Sequence, residues 1–216
     1  MRYFKQLWLA RTWTNYTRRL ILLNFKDVRV WVNIFTSKHR IPKFLLTDDD
    51  DDFEFQEFFR DKFEGFIITI KNPYARIVSY RRHFSEYKNK PFKLTNRKLV
   101  EMCEEYNTFY DNAIKLAEQY WGRLFASETL QHDAVRNWVL LEFWEKFWLQ
   151  LKYDEIVNEK KIIKPSWYIQ NTNKNKFDNT YYEQKKYLEY LNDGQMDIIS
   201  EYIDFKNIPY SIEKKQ

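Results

Sequence analysis

The apolar positions of this chain switch period several times before residue 85, and each switch marks an element. FKQLWLA (Phe4 to Ala10) predicts a short first strand. TWTNYTRRLILLNF then sets Tyr16, Leu20, Ile21 and Leu23 at helical spacing, with Thr12 or Thr14 as N-cap and Asn24 as a stop. VRVWVNIF returns to alternation and puts Val28, Val30, Val32 and Ile34 on one face of a second strand. Phe55, Phe58, Phe59 and Phe63 predict the buried stripe of the next helix, closed by Gly65. FIITI follows as a buried strand, and Asn72-Pro73 starts another helix, a capping residue followed by proline at the first helical position.

Strand and helix alternating in this way predict an α/β domain, a parallel sheet with helices on its faces. Ligands of such sheets bind at the carboxyl ends of the strands, where Arg11, Lys38, His39 and Lys71 fall. The second half is predicted helix-rich: Arg97 to Trp121, Asp133 to Glu145, Tyr181 to Tyr190 and Asp193 to Asp204. WLQLKY (Trp148 to Tyr153) is expected as a late strand, and the polar stretch Lys164 to Asn179 as a loop. No repeat or linker divides the chain, so residues 1–216 are expected to form one domain.

Composition narrows the classes. The chain is 44% hydrophobic and 19% aromatic, with eight tryptophans and three glycines, which fits a packed core and excludes a disordered chain. No apolar run approaches the roughly 20 residues of a membrane helix, and the N-terminus does not read as a signal peptide. A single cysteine, Cys103, fits a reducing cytoplasm. A net charge of +5 suits anionic ligands but is too diffuse to argue for nucleic acid. The acidic run Asp48 to Asp52 lacks the spacer residues of a metal loop and reads as a solvated helix start. Trp138, Trp144 and Trp148 read as core rather than as a sugar-stacking platform.

Two strand-to-helix junctions carry candidate chemistry. At the helix that begins with Asn72-Pro73, free N–H groups and the helix dipole favour an anion; Lys71 adds a charge and Ser79 a hydroxyl. A surface lysine and a helix-tolerated serine are the equally open alternative. At the first junction, Arg11, Thr12, Thr14 and Asn15 surround a second helix start, but Trp13 stands where a phosphate-wrapping backbone wants glycine.

In this order, these segments resemble the sulfotransferases that use 3′-phosphoadenosine 5′-phosphosulfate. Arg11-Thr12-Trp13-Thr14-Asn15-Tyr16 is similar to that family's first loop except at the glycine. Lys71-Asn72-Pro73 with Ser79 resembles its Arg-Asn-Pro element and downstream serine, lysine replacing arginine. Ser37-Lys38-His39-Arg40-Ile41-Pro42 resembles the segment that carries the catalytic histidine, and Tyr153-Asp154-Glu155 a late adenine-side motif. The family's Arg-Lys-Gly stretch has no clear counterpart.

The resemblance implies a three-layer α/β/α fold of the P-loop nucleotide-kinase-like type, with a nucleotide donor, a hydroxyl-bearing acceptor and no metal. It implies that Arg11, Thr12, Thr14 and Asn15 hold the sulfuryl end, Lys71 and Ser79 the 3′-phosphate, and Tyr153 the adenine side. Arg11 and Lys38 are then the catalytic cations and His39 the base. A degenerate relative that binds nucleotide or a partner without catalysis is the alternative.

Overall fold

The structure, a computed structural model, describes residues 1–9, 14–31, 41, 57–58, 61–157 and 179–214. β1 (Arg2–Trp8) leads through α1 (Thr14–Asn24) to β2 (Val28–Trp31), and β3 (Gly65–Ile70) enters α2 (Pro73–Lys88). α3 (Asn96–Gln119) precedes β4 (Gly122–Ala126), and α4 (Asp133–Phe147), α5 (Asn179–Glu183) and α6 (Asp193–Tyr202) follow. The four strands are all parallel in the order β2-β1-β3-β4. Winding therefore reverses at β1, whose sequence successor lies on one side and β3 on the other. In open parallel sheets the crevice at such a reversal, over the strands' carboxyl ends, is the ligand-binding position.

Both faces of the sheet are covered. Leu7, Phe66, Ile68 and Ile70 pack against α2, α3 and α6 through Ile77, Leu99, Tyr106, Leu116 and Ile199. Phe4, Val28, Val30, Ile67 and Phe125 pack on the other face against α1 and α4 through Leu20, Ile21, Leu140 and Phe143. All six residues of β3 are buried, as a central parallel strand requires. Cys103 sits inside the first of these layers, fully buried on α3.

Several sequence expectations need correction. β1 starts two residues earlier than expected, at Arg2. Gly65 does not stop a helix but opens β3, because a Cβ there would lie 1.9 Å from the Trp121 carbonyl oxygen. Of the expected phenylalanine stripe, Phe63 is buried and Phe58 is 48% exposed, while Phe55 and Phe59 lie outside the described residues. So do Val32, Ile34, the acidic run 48–52 and residues 164–178 of the expected polar loop.

The late strand is β4, not Trp148 to Tyr153, which among the described residues contributes a single antiparallel bridge between Leu151 and Phe25. Trp138 and Trp148 are not core: they are 57% and 85% exposed. α4 scatters its polar residues, among them Asp133, Asn137, Glu142 and Lys146, round the whole helix, so its pattern could not say which face meets the sheet. The expected helix over Tyr181 to Tyr190 divides at Lys185, whose φ of 51° ends α5 before a short 3₁₀ turn, Lys186–Tyr190.

Candidate functional site

The junction of β3 and α2 lies at the carboxyl edge of the sheet, beside the point where winding reverses. Asn72 forms the cap: its Oδ1 accepts from the N–H groups of Tyr74 at 3.0 Å and Ala75 at 3.3 Å. Its carbonyl takes the Arg76 N–H at 2.8 Å. Pro73 gives up nothing at this point, since its missing N–H would have no partner in the helix.

The strand's last carbonyls are each met by a hydroxyl. Tyr110 donates to Thr69 O at 3.0 Å and Tyr106 to Lys71 O at 2.8 Å. Ser127 donates both N–H and Oγ to Ile70 O at 2.8 Å. Tyr106 and Tyr110 are one turn apart on α3, so a single helix face docks onto the strand end.

Carboxylates occupy the anion-binding position. The Asn72 N–H donates to both oxygens of Glu128, at 3.2 and 3.3 Å. Tyr210 donates a hydrogen bond to the same group. The Asn72 amide donates to Glu213 at 3.2 Å, and Glu213 also accepts from Tyr187 at 3.3 Å and pairs with Lys185. Lys71 is 1% exposed, with its ammonium 5.2 Å above the Tyr182 ring.

Burial pushes the Glu128 carboxyl above the usual carboxylate range, and the Lys71 charge with the bonds from Tyr210 and Asn72 offsets part of that rise. Burial, reinforced by the Glu128 charge, raises the Tyr210 phenol well above its ordinary value. Tyr210 is therefore a fixed proton donor at neutral pH. The neighbouring Arg76 guanidinium is buried and committed to Glu105 at 2.8 Å and Met102 O at 3.4 Å.

Thr14 and Asn15 lie in the first turn of α1, which follows β1, the strand next to β3. Arg11, Thr12, Lys38 and His39 lie outside the described residues. Ser79 is partly buried on α2, about 9 Å of helix beyond Pro73, and no described contact joins it to Lys71.

Tyr153 stands apart from the group. The Lys152 N–H bonds Asn24 O at 2.8 Å, so this stretch runs beside the end of α1, at the opposite edge of the sheet from Lys71. Sequence reasoning missed Glu128, Tyr210 and Glu213, which reach Asn72 or its partner from 56 to 141 positions away and carry no local signal.

Among the described residues, no group of three or more His, Cys, Asp or Glu side chains could hold a metal ion. No described helix is long and apolar enough to cross a membrane. Comparison with protein-family models, with curated proteins and with solved structures yields no match.

Proposed function

We propose that the chain transfers a sulfuryl group from 3′-phosphoadenosine 5′-phosphosulfate to a hydroxyl of a carbohydrate or small metabolite. One observation carries the reading: Lys71-Asn72-Pro73 ends a central parallel strand as a capped helix start, and the neighbouring strand is β1. The step from that geometry to this donor rests on the resemblance of the motif residues, since a doubly wound sheet hosts many chemistries.

In this reading Lys71 and Ser79 hold the 3′-phosphate, and Arg11, Thr12, Thr14 and Asn15 hold the sulfuryl end. The acceptor oxygen forms its bond to sulfur as the bond to the donor's phosphate oxygen breaks, and His39 takes the acceptor's proton. Arg11 and Lys38 meet the charge that develops on the oxygens in flight, so catalysis consists of positioning and electrostatics. Tyr153 has no part in it.

The fit has one condition. The Glu128 carboxylate now holds the Asn72 N–H that a phosphate would take, so donor binding exchanges one anion for another. This same contact favours a second reading, a protein that keeps the fold and its carboxylate-filled junction and performs no transfer.

Thermal unfolding with 3′,5′-adenosine bisphosphate, against ADP and 5′-AMP, separates the two. At about 100 times its dissociation constant the bisphosphate adds about 2.7 kcal/mol, a rise of several degrees. Specificity for the bisphosphate, lost in Lys71→Ala, is the expected result. Equal indifference to all three nucleotides would leave the non-catalytic reading.

A further inference from the structure

The amino edge of the sheet, opposite the junction described above, carries a cleft of about 490 Å³. Arg2, Glu64, Gln119, Trp121, Lys146 and Trp148 are among its lining residues. That volume is within the range of small-ligand sites.

Its two tryptophans stand in a position that neither backbone preference nor burial explains. Trp121 follows the end of α3 with φ 60°, and Trp148 ends α4 with φ 51°. Left-handed backbone at a helix end is where glycine costs least and a bulky side chain is disfavoured. The strain is not offset by packing, since the two side chains are 66% and 85% exposed. Strained backbone that presents exposed aromatic side chains to a cleft is characteristic of ligand sites.

The polar groups beside them include both donors and acceptors at close range. Arg2 pairs with Glu64 at 3.6 Å and also donates to Phe147 O, and Lys146 donates to Gly122 O at 2.7 Å. Gln119 donates to the Tyr120 hydroxyl at 3.3 Å. Arg2 and Glu64 cancel in charge and Lys146, tied to the Gly122 carbonyl, leaves the lining with one net positive charge, which is little to hold a polyanion. Flat indole faces with a guanidinium, a carboxylate and a carboxamide beside them match a pyranose ring, whose C–H faces are apolar and whose edge hydroxyls both donate and accept.

We infer that this cleft binds a neutral oligosaccharide, with Trp121 and Trp148 as its stacking surfaces. The inference does not depend on sulfuryl transfer, because the cleft lies at the other edge of the sheet.

The test titrates the full chain with chitotetraose and with cellotetraose at millimolar concentrations, following indole fluorescence. The expected result is a saturable blue shift with at least one of them. Trp121→Gly and Trp148→Gly each weaken it about tenfold or more. Because glycine suits both backbone positions, each variant keeps or raises the Tm of the parent, which separates lost binding from lost folding. The inference is overturned by the absence of a saturable shift with both sugars, or by affinity unchanged in the double variant. A fall in Tm of several degrees in both variants would make the tryptophans structural and overturn it as well. Salt-dependent binding of a single-stranded oligonucleotide, lost in the same variants, would assign the surface to nucleobases instead.

Discussion

The backbone N–H of Asn72 points at the carboxylate of Glu128, 3.2 Å away, across 56 residues of sequence. A helix start built to receive an anion is thus held by one from the same chain. Glu128→Gln keeps the shape and removes the charge. Under the sulfuryl-transfer reading it raises affinity for 3′,5′-adenosine bisphosphate, about tenfold for each 1.4 kcal/mol of repulsion relieved. Calorimetric titration of parent and variant measures this. A variant that binds no better than the parent would mean that Glu128 does not compete for the site.

Asn72→Ala removes the acceptor for two helix N–H groups and costs about 1 to 2 kcal/mol of stability. Asn72→Asp restores the cap but brings a third carboxylate beside Glu128 and Glu213, so it recovers less than the whole loss. Urea midpoints of the three proteins rank the terms. Full recovery by aspartate would show that charge repulsion at this junction is screened.

Lys5, on β1, is 1% exposed, and burial lowers its ammonium from 10.5 to about 8. The unfolded chain holds that proton more tightly, so this residue lowers stability below pH 8 and the deficit disappears as pH rises from 8 to 10.5. The gap corresponds to about 3 kcal/mol. Lys5→Met is expected to raise the urea midpoint at pH 7, with an advantage that shrinks toward pH 10. A variant less stable than the parent at pH 7 would show that the ammonium's interactions outweigh its desolvation.

At Gly122 a Cβ would lie 2.3 Å from Ala117 Cβ and 2.6 Å from its Cα, where α3 meets the start of β4. Gly122→Ala therefore overpacks the helix–sheet contact and costs about 1 to 3 kcal/mol or more. Gly194, inside α6, has its nearest neighbouring atom at 3.7 Å, so Gly194→Ala gains about 0.5 to 1 kcal/mol. Thermal melts of the pair should move in opposite directions. A shared direction would refute the packing argument.

β3 and α2 were legible because a run of buried β-branched residues followed by Asn-Pro leaves one local solution, and α3 because its buried stripe keeps period over 24 residues. β4 was not legible: GRLFA is short, and its place in the sheet is set by pairing with β3 rather than by alternation. Trp138 was misplaced because α4 scatters its polar residues round the helix and so does not reveal its outer face, and Trp148 because it caps the helix end and belongs to no strand. At the candidate site, Lys71 and Asn72 could be picked out from the strand-to-helix switch. The carboxylates and phenols that meet them arrive through tertiary folding alone, and no spacing along the chain announces Glu128, Tyr210 or Glu213.

The chain's one cysteine, Cys103, is fully buried on α3 in the core layer that α3 shares with α2 and α6, near Arg76 and Tyr74 of α2, and burial pushes its thiol up to about 12. A thiol that is both covered and protonated does not react with alkylating or disulfide reagents while the core stays closed. Its modification rate therefore counts core openings directly. The molecule carries its own single-site clock for the breathing of this core layer, and no engineered label is needed to time it.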